Sequence, residues 1–260
     1  MSYDPVATLS AFAAAHGITF PLLSDEGSVV IRRLGLLNDQ VQADHAAYGI
    51  AANPRHVGLP YPGAFALDAA GIVVEKRFHE SYRVRDTGAG LIARTHGIVP
   101  PAPEPGGVDT AGEPVRVRAW LDSPTYTWFQ RLHLNVEIET RPGWHVYGRP
   151  APDGMIPLGV EIAPIPGLEI GAVNEPAPQR FAMAGLDETL WVHEGRVRIS
   201  VPLTFTAPPG AGTHRIVVTV THQACSDRAC LPPSTARIEL GVTETALVGR
   251  TLPAPDAPAP

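Results

Sequence analysis

Sulfur is scarce in this sequence: 260 residues carry two cysteines and three methionines. That excludes a disulfide-dense scaffold, and no repeated CxxC pair has the spacing of a structural zinc site. His222 and Cys225 are each of metal-binding type, but two ligands do not make a site, so neither a metal nor an organic cofactor is implied. Lysine is also scarce, and the basic residues are mostly isolated arginines. With a net charge of −6 and a pI near 5.9, that pattern argues against a nucleic-acid surface. No apolar run approaches the roughly 20 residues of a membrane-spanning helix. The opening "MSYDPVATLSAFAAAHG" lacks a positive n-region, so it shows no signal peptide and taken at face value implies the cytoplasm. A glycine-rich phosphate loop and internal repeats are missing as well.

Glycine and proline, by contrast, are plentiful, with 25 and 28 residues. The prolines cluster in "VPPAPEPGGVDTAGEP", 99–114, which reads as a structure-poor linker, and in a Pro/Ala-rich tail over 244–260. The division expected is therefore an α/β segment over 1–98, the linker, a β domain over 115–243, and the tail. In the first segment Asp4 is expected to cap a helix with Pro5 at its first position and Gly17 at its end. "FPLL" reads as a short buried strand, Ser24 or Asp25 as the cap of a second helix ending at Gly35, and 38–60 as loop. "GAFALDAAGIVVEKRF" has the pattern of a hairpin, and a further helix is expected from Asp86 to His96.

Beyond the linker the period drops to two. "VRVRAWLD", "RLHLNVEIE", "RVRISVPLTF", "HRIVVTVTH" and "TARIELGV" alternate apolar and polar residues as half-buried antiparallel strands do. Pro/Gly turns separate them, which predicts an immunoglobulin-like β-sandwich. Trp144, Tyr147, Trp191 and Phe205 read as core or edge aromatics, and His133, His145, His193 and His214 as residues of solvated strand faces.

Both cysteines lie in "HQACSDRACLPPS", 222–234. On spacing alone, a turn between adjacent strands can bring Cys225 and Cys230 to bonding distance, and a lone pair of this kind in a sandwich stabilises more often than it reacts. The loop closed is short, which makes the pair a poor staple yet accessible to a partner's thiolate. His222 and Arg228 would favour a thiolate nearby, and Asp227 would oppose it.

Two resemblances sharpen this reading. "SYDPVATLSAFAAAHGITFPLLSD" followed by "YPGAFALDAAGIV" resembles the later part of a redoxin, the thioredoxin-fold family of AhpC/TSA peroxiredoxins. The resemblance covers residues 2 to 95. It implies that Pro62 is the cis-proline of thioredoxin-like proteins and that the segment is truncated past its reactive cysteine. No cysteine precedes Cys225, and Tyr61, Pro62, Gly63 and Ala64 stand where the family places an arginine, so peroxidase activity is not expected and Tyr61, Pro62 and His79 read as structural. From Val115 to Val242, "PGWHVYGRPAPDGMIPLGVEI", "NEPAPQRF", "VHEGRVRISVPLTF" and "VTHQACSDRACLPP" are similar to the N-terminal domain of DsbD-type thiol:disulfide interchange proteins.

That second resemblance implies a Cys225/Cys230 couple that shuttles between dithiol and disulfide and passes reducing equivalents to thioredoxin-like partner proteins. It also implies a periplasmic or other extracytoplasmic location. A covering loop is implied over 180–191, with Phe181 or Leu186 as the cap and Asp187, Glu194 and His222 as candidates for assisting groups. The rival readings are a non-enzymatic immunoglobulin-like binding module with a structural cysteine pair, and a fragment of an antioxidant peroxiredoxin-like protein.

Overall fold

The computed structural model describes residues 1–47, 49, 51, 53–79, 83–98, 113–182, 189–206 and 212–245, and the backbone of 106–108. The chain forms two compact units, Met1–Arg85 and Asp86–Leu247.

In the first unit, α1 (Val6–Ala15) begins one residue later than expected: Pro5 is the cap, and its carbonyl accepts from Leu9 N. The Asp4 carboxylate is instead bonded to the Ser2 hydroxyl. Gly17, at φ 60°, ends the helix in the left-handed conformation that glycine adopts at least cost. α2 (Val29–Arg33) is anchored by Asp25, whose carboxylate accepts from Val30 N at 3.0 Å and Ile31 N at 2.8 Å. The span 38–60, read as loop, contains α3 (Val41–Ala47) and a 3-10 turn, Pro54–His56. The missed start signal was Asn38, whose side chain accepts from Gln40 N.

The hairpin is present as β1 (Gly63–Leu67) and β2 (Val73–Phe78), a two-stranded sheet. Pro62 is not a cis-proline. Among the described residues the cis peptide bond is Arg149–Pro150, and the Pro62 carbonyl extends the hairpin ladder by accepting from His79 N at 2.9 Å. Tyr61 donates to Asp39 Oδ1 at 3.4 Å. "FPLL" is neither strand nor buried: Phe20 is 66% and Leu23 60% exposed. The neighbouring Ser24 makes a single parallel bridge to Ser2, which gives this stretch no sheet to face.

The second unit is the expected immunoglobulin-like antiparallel sandwich. Its strands are β3 (Gly106–Val108), β4 (Val115–Leu121), β5 (Thr125–Tyr126), β6 (Gln130–Thr140), β7 (Trp144–Tyr147), β8 (Gly159–Ile162) and β9 (Leu168–Ile170). They continue with β10 (Gln179–Ala182), β11 (Thr189–Glu194), β12 (Arg196–Phe205), β13 (Thr213–His222), β14 (Ala224–Ser226) and β15 (Ser234–Glu244). β3 lies inside the stretch read as linker and pairs antiparallel with β4. Its main chain joins the sheet edge, which composition alone does not reveal.

One sheet runs β9-β12-β6-β4-β3, a second β5-β15-β13-β8, and a third β10-β11-β7-β14. Alternate residues of the first two interlock as the core, among them Leu132, Leu134, Val136 and Ile138 of β6 with Ile216, Val218 and Val220 of β13, all 0% exposed. Burying each such side chain stabilises the fold by about 1.5–3 kcal/mol. Tyr126 stacks on Phe205 with ring centroids 4.1 Å apart. The third sheet adds Val146 and Ala224 to the same core.

The helix expected to end at His96 is α4 (Gly88–His96), which belongs to the second unit. Its cap is Thr87, not Asp86, and Thr87 Oγ1 accepts from Gly90 N at 2.9 Å. A buried chain of polar groups fixes it. Asp122 Oδ2 accepts from Thr87 Oγ1 and from His133 Nδ1 at 3.3 Å, while Asp122 Oδ1 accepts from His133 N at 2.9 Å. On the far side of the imidazole, Arg94 Nη1 bonds His133 Nε2, and Arg94 Nη2 pairs with Asp86 Oδ2 at 3.0 Å. Gly90 has no room for a side chain, because a Cβ there would lie 2.6 Å from His133 Nδ1 and 2.7 Å from Asp122 Oδ2.

Candidate functional site: a disulfide on the outer face of the third sheet

The site starts from a turn. Pro142 and Gly143, the latter at φ 80°, reverse the chain so that Trp144 N donates to Arg141 O, and β7 follows. β13 ends at His222, and the chain continues through Gln223 into β14, which pairs antiparallel with β7 in the register Ala224↔Val146, Cys225↔His145 and Ser226↔Trp144. Successive side chains of a strand point to opposite faces. Ala224 and Val146 therefore enter the main core, whereas Cys225, His145 and Tyr147 share the other face.

After β14 the chain turns back on itself. Ser226 Oγ accepts from Arg228 N at 3.2 Å and Ala229 N at 3.1 Å, and Leu231 N donates to Ala224 O at 2.9 Å. Cys225 and Cys230 thus face each other with Cα atoms 4.1 Å apart and are joined as a disulfide. Gln223 braces the hairpin from both sides: its Oε1 accepts from Ile156 N, and its Nε2 donates to Leu231 O, each at 3.0 Å.

The two sulfur-bearing residues differ in access. Cys225 is 0% exposed, in a cluster with Tyr147, Leu190 and Val192, against which Phe181, Met155 and Ala151 pack. Cys230 is exposed. The Tyr147 hydroxyl lies 3.8 Å from Cys230 Sγ and, because a disulfide sulfur carries no proton, is the donor of that contact. Burial raises the Tyr147 pKa, which keeps the hydroxyl protonated.

Of the residues named for assistance, Phe181 lies over this face, its ring 4.7 Å from that of His145. Leu186 and Asp187 lie outside the described residues. Glu194 is exposed and accepts from Gln179 Nε2 at 2.8 Å. His222 is buried and its pKa lowered by burial, which the charge of Glu113 only partly offsets, so it supplies no cation near the thiols. Arg228 is almost fully solvated and pairs with Asp227 at 3.7 Å.

The histidines read as solvated are mostly buried. His133, His145 and His193 are at most 4% exposed. His193 Nε2 bonds Glu175 Oε1 at 2.8 Å, and His145 lies beneath Phe181 and 5.6 Å from Tyr147, ring to ring. His133 and His145 occupy the outer face of their strands under a further layer, whereas His193 opposes Val146 and so lies on the core side of its strand. Among the described residues, no group of three or more histidine, cysteine or acidic side chains is placed to hold a metal ion, and no helix is long and apolar enough to cross a membrane.

His145 and His222 give the fold a defined pH response. Burial lowers both pKa values below the ordinary 6.5, so below about pH 6.5 the unfolded chain binds more protons than the folded one and stability falls as pH drops. The melting temperature should therefore decline between about pH 7.5 and about pH 5.5, and more steeply in wild type than in His145→Phe or His222→Phe. Equal slopes in all three proteins would remove these residues from the account.

Comparison with known proteins follows the same division. Residues 127–241 match the family described as thiol:disulfide interchange protein DsbD, N-terminal, and residues 1–76 match the AhpC/TSA family. No curated protein matches the chain. Similar solved structures include the N-terminal periplasmic domain of ScsB from Proteus mirabilis, at 17% identity and a TM-score of 0.40, covering 52% of this chain and 49% of that one. The chain thus spans about half the length of that relative. Another is the Neisseria meningitidis DsbD N-terminal domain in its reduced form, at 14% identity and a TM-score of 0.29, covering 41% of this chain and 74% of that one. The bonded pair Cys225–Cys230 lies inside the first of these family matches.

Proposed function

We propose that the second unit is an electron-carrying module that exchanges its Cys225–Cys230 disulfide with thioredoxin-like partner proteins outside the cytoplasm. The observation that carries this reading is the asymmetry of the pair: one cysteine buried, the other exposed at the tip of a short hairpin. A stabilising cross-link gains nothing from an exposed sulfur, whereas exchange requires a thiolate to reach one sulfur along the S–S axis. Cys230 is therefore the sulfur attacked when the module is reduced and the attacking group when it reduces a partner. Cys225 is the leaving group in the first direction and the resolving thiol in the second. Tyr147 donates a hydrogen bond to Cys230 and favours its thiolate. Phe181 and the chain around Met155 shield Cys225 from adventitious oxidants.

The extracytoplasmic location is supported by the DsbD-type match and by the ScsB domain, itself described as periplasmic. The AhpC/TSA-like unit holds no cysteine, so its part in this chemistry is not that of a thiol nucleophile.

The reading is tested by equilibrating the full chain against glutathione and dithiothreitol buffers. A reduction potential between about −120 and −270 mV is expected for a working couple. A potential below about −300 mV would mark a structural disulfide and favour the binding-module alternative.

A further inference from the structure

The geometry points to His145 as the proton acceptor for the Cys225 thiol in the ring-closing half of exchange, an assignment that rests on the exchange reading above. His145 is the direct cross-strand partner of Cys225 in the β7–β14 ladder. Opposed residues of an antiparallel pair share a face, with Cβ atoms about 4.5–5.5 Å apart. The imidazole is 1% exposed, and its Nε2 has no hydrogen-bond partner. Buried polar atoms rarely go unpaired, and each exception calls for a reason.

The neighbours of His145 on this face supply the reason. Phe181 and Tyr147 present rings to it, at 4.7 and 5.6 Å. Tyr147 is also a titratable neighbour, but its hydroxyl is directed to Cys230. Glu194, opposite His145 in the β11–β7 ladder, offers only acceptor oxygens, one of them already bonded to Gln179. Among the described residues the remaining titratable neighbour is Cys225, whose sulfur carries no proton in the disulfide. Reduction creates an S–H on Cys225, a donor that exists in the dithiol state alone. The orphan nitrogen is thus the counterpart of a proton that the oxidised form lacks.

The chemistry needs such a base. Cys225 is enclosed by Leu190, Val192 and Tyr147, and an apolar enclosure keeps a thiol protonated. In the first step the Cys230 thiolate attacks a partner disulfide R–S–S–R′, forming Cys230–S–S–R and releasing R′S⁻. The proton on Cys225 Sγ then passes to His145 Nε2, and the resulting thiolate attacks Cys230 Sγ. The Cys225–Cys230 bond forms, RS⁻ departs, and the imidazolium returns its proton through solvent to that thiolate. Two electrons have moved from the dithiol to the partner. The intermediate thiolate–imidazolium pair is neutral overall, so the enclosure holds no net charge. Burial also keeps the free imidazole neutral near pH 7, against the smaller opposing effect of Glu194, and leaves it able to accept.

The test uses the full chain, reduced beforehand and mixed with oxidised glutathione. Attack is isolated in a Cys225→Ser background, and ring closure is followed in chains with both cysteines. His145→Gln should slow closure near pH 7 by about 10- to 100-fold and make its rate climb with pH up to about pH 9, while attack stays within about twofold of its normal rate. Unchanged closure with an unchanged pH profile would overturn the assignment. Because a buried substitution can unfold the chain, a second measurement uses wild type: the imidazole ¹⁵N shifts of His145 should differ between oxidised and reduced protein as Nε2 gains its donor. Identical shifts in the two states would overturn it equally. A wild-type chain that does not exchange with glutathione at any pH would sink the exchange reading itself and this assignment with it; normal exchange with an indifferent His145→Gln would sink the assignment alone.

Discussion

Cys230→Ser is expected to slow the reaction of the reduced chain with a disulfide reagent by about 100-fold or more, whereas Cys225→Ser should react at close to the normal rate and stop at a mixed disulfide. The difference follows from where the strand ends. Cys225 is the middle residue of β14, held by main-chain pairing to β7 and 0% exposed, so a reagent cannot align with its sulfur unless the strand opens. Cys230 lies beyond the turn made by Ser226 and Ala229, exposed and facing a hydroxyl donor. Thiolate character and access both favour it. Mass spectrometry of the adducts after a short exposure to oxidised glutathione decides the matter. A stable adduct on Cys225 in Cys230→Ser, formed as quickly as the one on Cys230 in Cys225→Ser, would show that the two sulfurs are equivalent and would remove the directional part of the proposal.

The second large effect lies away from the thiols. Asp122→Ala should destabilise the second unit by about 3 kcal/mol, because it strips a buried carboxylate from three donors and leaves His133 N and the Thr87 hydroxyl proton without acceptors. For a unit of this size each kcal/mol moves the melting temperature by roughly 2–4 °C, so a drop of roughly 6–12 °C is expected in its transition. Hydrogen exchange gives a more local readout. The amides of α4 should lose protection first, because Asp122 is the group that joins the helix cap at Thr87 to β6 through His133. A melting temperature within about 1 °C of wild type, with α4 still protected, would show that apolar packing alone retains the helix.

What could be read in advance divides by physical cause. The strands of the sandwich were legible because one side of each is core: in β6, Leu132, Leu134, Val136 and Ile138 alternate with polar residues, and a period of two has no competing explanation. That alternation says which side faces the core, but not whether the opposite side meets water. His133 and Glu137 lie on the polar side of β6 and are buried all the same, the first by its bonds to Asp122 and Arg94, the second by Arg196 and Arg198. The same gap hid His145. Its strand neighbour Val146 points inward, and nothing local announced Phe181 above it.

The cysteine pair was legible as a pair, and its buried and exposed members were not, since the distinction depends on β14, a strand of three residues too short to show a period. Pro62 and "FPLL" failed for the opposite reason. Their expected roles belong to a complete redoxin sheet, and among the described residues the first unit has the β1–β2 ladder and isolated bridges to offer them.

The alternation across β14 has a consequence for how this protein can vary. Ala224 and Cys225 are adjacent, yet one helps fill the main core and the other forms the bond on the opposite surface. The stretch between His222 and Ser226 therefore obeys a parity rule. Adding or deleting one residue would turn the sulfur into the hydrocarbon interior and push a methyl group out to the opposite face, whereas a change of two restores both. Length variation in this motif should accumulate after Ser226, in the solvated Asp227–Arg228 tip, where the count is free of that constraint.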